Sequence, residues 1–492
     1  MDPILTGFVV YLVVVLVVGV IAFRQTQSQS AFILGDRKLG PWVIAFSERA
    51  SGESAWLLVG LPGAALATGF IELWTAIGCT TGILFSWTFV APRLRESVGR
   101  TDSLTLPDFF RQSYPETHEA IRIVASLIIT FFFTFYVAAQ FNAAGKVLDT
   151  TFGEMLGSMQ GALTSAGLSL ETTTIGMLIG TIIVLFYTAM GGFVAVAWTD
   201  VVQGVIMVFT CVCLPIVGWI KLGGNEVLLP RLAENASALS LTGGTSGLEA
   251  ALLVVGGLSW GLGYMGQPHL LMRYMAIRST SEIRTSRLIA IWWAVPAFWG
   301  AFMIGIVGLA AFGVDHFEDP ERLMPFLAQT VMPGWLAGIM ISGAIAAMMS
   351  TADSQLLVTT STLSEDVWHK LLKRDSSPQS LARVSRMATI VVGLVAFALA
   401  VSTSDLVFSM VSFAWSGLSA AFGPALLLTL WWKRCTGNAV LAGMIGGTVS
   451  VVAWRYLGGD ALISERVAGF AIALALVVGV SLLEGRRQPL RP

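Results

Sequence analysis

Apolar residues in this chain come in long runs, and a run of about 20 is enough for a helix to cross a bilayer core. Thirteen such stretches lie near 3–23, 41–69, 71–92, 119–145, 172–192, 194–221, 248–277, 286–313, 332–362, 387–402, 405–432, 437–457 and 467–484. The pattern predicts an all-α polytopic membrane protein with about 13 transmembrane helices. The stretch 387–402 is short, and its helix could start earlier. The first stretch has neither a basic leader nor a small-residue cleavage site, so it reads as a retained helix. The longest connections, 93–118, 146–171, 222–247 and 363–386, leave room for a gate helix such as Leu104 to Tyr114 but for no soluble domain.

Charge placement tests the pattern, because cytoplasmic loops collect Lys and Arg. With the N-terminus outside and sides alternating, the inner set holds twenty basic residues and the outer set six. The inner set includes Arg24, Arg37, Lys38, Arg93, Arg278, Lys370, Arg374, Lys433, Arg486, Arg487 and Arg491; the outer set is Lys146, Lys221, Arg231, Arg322, Arg455 and Arg466. This places the C-terminus in the cytoplasm. Only 12% of residues are charged, about half the share usual in soluble chains. A net charge of −1 argues against a nucleic-acid partner. Cys79, Cys211, Cys213 and Cys435 have no metal-ligand spacing. No phosphate-binding loop, zinc-protease motif or nucleophile elbow occurs, so an enzyme reading has no support and any energy must come from an ion gradient. No obligate protein partner is evident beyond the membrane lipid.

Two stretches are interrupted. The span 41–69 carries Glu48, Arg49, Gly52 and Glu53 near its middle, followed by Gly60, Pro62 and Gly63. Charges at bilayer depth normally face a cavity or a partner, although Arg49 pairing with Glu48 or Glu53 as a packing device is an alternative. The span 248–277 carries five glycines and a proline between Gly256 and Pro268, which a regular helix cannot hold. Unpaired backbone at that depth lines protein or water. Two such segments at matching places in two halves point to the binding site of an inverted-repeat transporter. The expected organisation is one transmembrane domain, with repeats at 41–221 and 248–432 and accessory helices at 3–23 and 437–484.

In the span 332–362, Asp353 wants a cation, a proton or a partner, and Asp200 is a candidate partner. Ser350 and Thr351 offer hydroxyl oxygens suited to a hard monovalent cation. Two carboxylates held close would also raise one pKa and so make a proton carrier.

The run from Tyr187 to Asp200 resembles the solute:sodium symporter family. The segments Ile33 to Pro41, Trp56 to Ala64, Gly261 to His269, Met349 to Thr351 and Ala420 to Pro424 are similar to the bacterial sodium/proline symporters. The resemblance implies a five-plus-five inverted-repeat core of the leucine-transporter type, alternating access, a bacterial inner membrane and sodium as the coupling ion. It implies sodium ligation by the carbonyls of Ala50, Glu53 and Ala347 with the hydroxyls of Ser350 and Thr351. It places substrate contacts at Ser54, Ala55, Tyr136, Trp260, Tyr264 and Pro268. Asp200 matches an aspartate that some relatives use for a second sodium, which makes Asp200, Asp353 and Ser354 a candidate second cation or proton site.

Three positions depart from the pattern. Gly52 stands where the proline symporters carry an aspartate, and Glu53 is turned from it by about 100°. Glu48 and Arg49 replace small uncharged residues, and Asp353 stands where relatives commonly carry a small one. The expected function is sodium-coupled symport of L-proline or a similar small amino or imino acid. The alternatives are a proton-coupled or mixed-ion symporter of another small carboxylate, and a transporter-like sensor acting through a separate partner.

Overall fold

The computed structural model describes residues 2–23, 29–190, 192–234, 237–373 and 375–485. Arg24, Arg374, Arg486, Arg487 and Arg491 of the inner basic set lie outside the described residues, as does Gly191 of the family-like run. Among the described residues there is no strand, only an isolated parallel bridge between Leu39 and Ile277.

Every apolar stretch becomes helix. α1 is Pro3–Phe23. The second stretch is α2 (Pro41–Ala55) and α3 (Leu61–Thr68), joined by a wide turn at Trp56–Gly60. The third is α4 (Leu73–Phe85) running into α5 (Ala91–Thr101). A short α6 (Leu106–Ser113) occupies the connection where a gate helix was expected, and Thr105 caps it by accepting from the Asp108 amide. Then come α7 (Ala120–Ser165), α8 (Thr172–Met190) and α9 (Phe193–Lys221). The interrupted span is α10 (Gly247–Leu258), α11 (Trp260–Gly263) and α12 (Pro268–Ala276). It is followed by α13 (Ile283–Phe312), α14 (Gly334–Ser361) and α15 (Pro378–Val401). The last three are α16 (Val407–Trp431), α17 (Gly437–Tyr456) and α18 (Glu465–Glu484).

Among the described residues, ten helices are long and apolar enough to cross a bilayer, or eleven with the bent pair Gly247–Gly263 and Pro268–Ala276. One of the ten, Pro41–Thr101, holds two of the sequence stretches in series, and α8 supplies a shorter apolar helix. The helices overrun the expected ends in three places. α15 begins at Pro378, ahead of the expected 387. α7 continues through most of the connection expected at 146–171, as far as Ser165, with a kink at Phe152. α14 continues as a wide turn over Thr362–Leu372. In each case polar residues at the helix end lowered the hydropathy without breaking the backbone.

α1 packs on α14 and α9, and α17 and α18 pack on each other and on α16, so the outermost helices flank the centre. At the centre, α2 and α9 pack on each other, and each packs on α13 and α14. Small residues allow the closest crossings. A Cβ on Gly82 would lie 2.4 Å from the Gly261 Cα, so α4 meets α11 backbone to backbone.

Charged clasps close both ends. At the end carrying the basic loops, Arg122 meets Asp108 at 2.8 Å and Asp366 at 3.4 Å, and Lys370 meets Asp108 at 3.0 Å. Burial pushes the Asp108 carboxyl up, but Lys370 and Arg122 outweigh it and hold the group below its ordinary value. Its contribution is therefore full above the ordinary carboxylate range and is lost as pH falls through the depressed value. At the opposite end, Lys146 on α7 lies 2.6 Å from Glu321. That carboxylate also accepts the Val407 and Phe408 amides, each at 2.8 Å, capping α16.

Gly82→Val forces the α4–α11 crossing apart and should cost about 3 kcal/mol or more. A fall in the melting temperature and folded yield of the detergent-solubilised protein checks it.

Candidate functional site

The first break falls at Ser54, whose φ of 55° and ψ of −178° leave the helical region altogether. A non-glycine residue held there costs on the order of 1–3 kcal/mol and persists only when its surroundings fix it. Those surroundings are specific. The Ser54 hydroxyl accepts the Trp56 amide at 3.1 Å, and the Ala55 amide donates to Gln140 of α7 at 3.0 Å.

The second break spans Tyr264 to Gln267, between α11 and α12. Ser86 donates to the Tyr264 carbonyl at 3.1 Å, and Trp415 of α16 donates to the Trp260 carbonyl at 3.0 Å. Gln267 donates to the Trp415 carbonyl at 3.1 Å. Side chains thus supply the bonds that the interrupted backbone cannot make for itself.

Between the breaks lies an aromatic cluster. The Trp260 ring lies 4.4 Å from Trp56 and 5.3 Å from Phe408. Tyr264 and Tyr136 approach Trp415 at 4.9 and 6.5 Å, and Tyr136 approaches His269 at 6.3 Å. Ser54, Ala55, Tyr136, Trp260, Tyr264 and Pro268 are all buried. Tyr136, Trp260 and Tyr264 gather around Trp415, and Pro268 opens α12 at the second break.

Oxygens gather on the α14 side of the first break. The Ser350 hydroxyl lies 2.9 Å from the Ala50 carbonyl and 3.1 Å from the Ala347 carbonyl. The Thr351 hydroxyl lies 2.9 Å from the Ser51 carbonyl. Ala50, Ala347, Ser350 and Thr351 are therefore brought together. The Glu53 carbonyl sits at the end of α2, where it accepts the Trp56 amide. Ser51, which the sequence did not nominate, supplies the carbonyl facing Thr351.

Two charge clusters flank this arrangement. Arg49 bonds both Glu48 and Glu53. Trp87 and Tyr274 donate to Glu48 at 2.9 and 3.0 Å, and Tyr264 donates to Glu53 at 2.9 Å. Both pairings left open from sequence are thus present, and Glu53 anchors a pocket tyrosine. At Gly52 a Cβ would lie 3.0 Å from the Leu270 side chain, so Leu270 of α12 fills the place next to it.

In the second cluster Asp200 accepts from Ser47 at 2.6 Å, Ser51 at 3.0 Å and Arg273 at 3.2 Å. Arg273 also donates to Ser354 at 2.6 Å and Ser51 at 2.9 Å. Asp200 and Ser354 are brought together, but around a guanidinium. Asp353 is fully buried, and neither of its carboxylate oxygens has a hydrogen-bond partner among the described residues. It does not bond Asp200.

Arg273, Gln140 and Trp415 escaped the sequence reading. Arg273 carried a usable signal, a basic residue inside an apolar stretch four positions past His269. Gln140 and Trp415 carried none, because one glutamine or tryptophan in a long apolar run does not reveal which way it faces.

Two broken apolar helices that meet at a buried aromatic cluster, with carbonyls and hydroxyls facing across one break, define a secondary transporter. The chain belongs to the sodium:solute symporter family, whose model matches residues 32–447. It is 38% identical to the sodium/proline symporter of Escherichia coli K12 over 98% of this chain and 93% of that one. It is 36% identical to the high-affinity proline transporter of Bacillus subtilis 168 over 95% of each. Its fold is similar to that of a Na+-coupled sialic acid symporter in a substrate-bound outward-open state, with a TM-score of 0.78, 18% identity and coverage of 100% and 99%. It is also similar to MhsT in complex with L-phenylalanine, with a TM-score of 0.58, 14% identity and coverage of 90% and 98%. The protein is thus a multi-pass membrane symporter with a leucine-transporter-type core.

Arg49→Met leaves Glu48 and Glu53 buried without their shared cation and should destabilise the protein by about 3–5 kcal/mol. Arg49→Met with Glu53→Gln should recover part of the loss, read as melting temperature in detergent.

Proposed function

We propose that the chain takes up L-proline, or a closely similar small amino or imino acid, by sodium-coupled symport with alternating access. The observation that carries this reading is the set of oxygens at the first break, where the Ser350 hydroxyl donates to the Ala50 and Ala347 carbonyls and the Thr351 hydroxyl donates to the adjacent Ser51 carbonyl. Such neutral oxygens suit a hard monovalent ion. The identity to proline transporters of Escherichia coli and Bacillus subtilis supports the substrate. The imino acid would rest between Ser54 and Ala55 on one side and Tyr136, Trp260, Tyr264 and Pro268 on the other. Its carboxylate would compete with Gln140 for the Ala55 amide. Ion entry would replace hydroxyl-to-carbonyl bonds that tie α14 to α2, so sodium would alter the contact between those helices. The Glu53 carbonyl, which accepts the Trp56 amide, would have its second lone pair to offer.

A second reading, coupling that also involves a proton or another cation, is favoured at Asp353. Arg273 already neutralises Asp200 and engages Ser354, whereas Asp353 has no donor among the described residues. The basic-residue bias supports an extracellular N-terminus and a cytoplasmic C-terminus in a bacterial inner membrane.

Radiolabelled proline uptake into proteoliposomes under a sodium or a proton gradient tests both readings. Sodium-driven uptake reduced about ten-fold or more by Thr351→Ala, as expected when about 1.4 kcal/mol of ion binding is lost, supports the sodium site. Uptake driven by protons alone and abolished by Asp353→Asn supports the second reading. No uptake under either gradient redirects the search to other small carboxylates or to a sensing role.

A further inference from the structure

Arg466 lies beyond the segment matched to the family, 32–447, at the start of α18, one of the flanking helices. Its side chain nevertheless reaches the pocket. The guanidinium carbon lies 4.4 Å from the Trp260 ring centre. Nε donates to Ser259 at 3.0 Å, and Nη2 donates to the Gly256 carbonyl at 3.3 Å. Nη1 donates to Ser412 on α16. The neighbouring Glu465 accepts from Ser412 at 3.1 Å and Ser416 at 3.2 Å, seating the start of α18 on the same helix.

Arg466 therefore bonds two separate elements that border the pocket. One is the first half of the second broken helix, through Ser259 and Gly256, and the other is α16. A planar guanidinium suits this role, because it can donate in several directions while its face rests on an indole. Trp260 is in turn close to Trp56, at the first break. A residue that merely anchored α18 would need only one of these partners.

We propose that Arg466 is a positioning residue for transport, latching the second broken helix to α16 and holding Trp260 across the pocket when the path on that side is closed. The inference rests on the transporter reading but not on the identity of the solute. α18 then takes part in closure instead of serving only as a flanking helix.

The test uses the full-length chain in proteoliposomes with a reporter cysteine introduced as Val407→Cys. Val407 is fully buried at the start of α16, beside the pocket-lining Phe408. Labelling by a membrane-impermeant maleimide, above that of the same chain without the reporter, reads opening of this side without any solute. Arg466→Ala should raise the labelling rate about five-fold or more by shifting the closed–open balance, and Arg466→Lys, which keeps the charge but not the planar fork, should fall between the parent and the alanine variant. Should the alanine variant fold poorly, Ser259→Ala with Ser412→Ala removes the latch's hydroxyl partners while keeping the arginine, and a smaller rise is expected. Unchanged labelling in the folded variants overturns the proposal. Equal labelling in the alanine and lysine variants also overturns it, because the charge would then play no part.

Discussion

A helix interrupted inside a bilayer leaves amide and carbonyl groups with no water to bond, and the centre of this protein is organised around that constraint. At the first break the missing bonds are supplied by Ser54, Gln140, Ser350 and Thr351. At the second they are supplied by Ser86 and Trp415. These side chains come from helices far apart in sequence, so each break pulls several elements into register. The closed state is consequently well bonded, and any entering ion or solute competes with internal hydrogen bonds for the same atoms.

The buried charges extend this organisation. Arg49 holds Glu48 and Glu53, and Glu53 holds Tyr264, so the first cluster fixes one wall of the aromatic pocket. Arg273 ties α12 to Asp200 on α9 and to Ser47 and Ser51 on α2. Ser51 joins this second cluster to the oxygens of the first break, with its carbonyl toward Thr351 and its hydroxyl toward Asp200 and Ser354. Ion pairs desolvated to this degree are seldom net stabilisers compared with apolar packing. Their evident effect here is to fix which helix faces which.

Much of this architecture was legible in the sequence. Apolar runs located the helices because lipid imposes a length and a hydropathy on every span. The two broken spans were marked by charge, glycine and proline, residues with a direct backbone or solvation reason to be there. The helix ends at Ser165, Leu372 and Pro378 were not legible, because hydropathy falls where a helix leaves the membrane, not where its hydrogen bonds stop. The Ser350 and Thr351 hydroxyls were legible as oxygens for a cation, whereas the carbonyls of Ala50 and Ala347 entered through family resemblance; nothing about an alanine announces that its carbonyl faces another helix. The partner of Asp200 was missed for a different reason. Periodicity says that a buried carboxylate needs a cation, but only tertiary contact says which of several cations reaches it, and Arg273 lay unremarked within an apolar stretch.

The Glu48–Arg49–Glu53 cluster has an electrical consequence. With both carboxylates ionised it carries one net negative charge, on the half-helix that borders both the oxygen set and the aromatic pocket. A monovalent cation bound alongside brings that sum to zero. Membrane voltage acts on an elementary charge with about 2.3 kcal/mol per 100 mV across the full field. With this cluster setting the balance, the loaded centre would cross almost unaffected by voltage, while the unloaded one would be pushed toward the positive side. An inside-negative membrane would then speed the return of the empty carrier rather than the inward step.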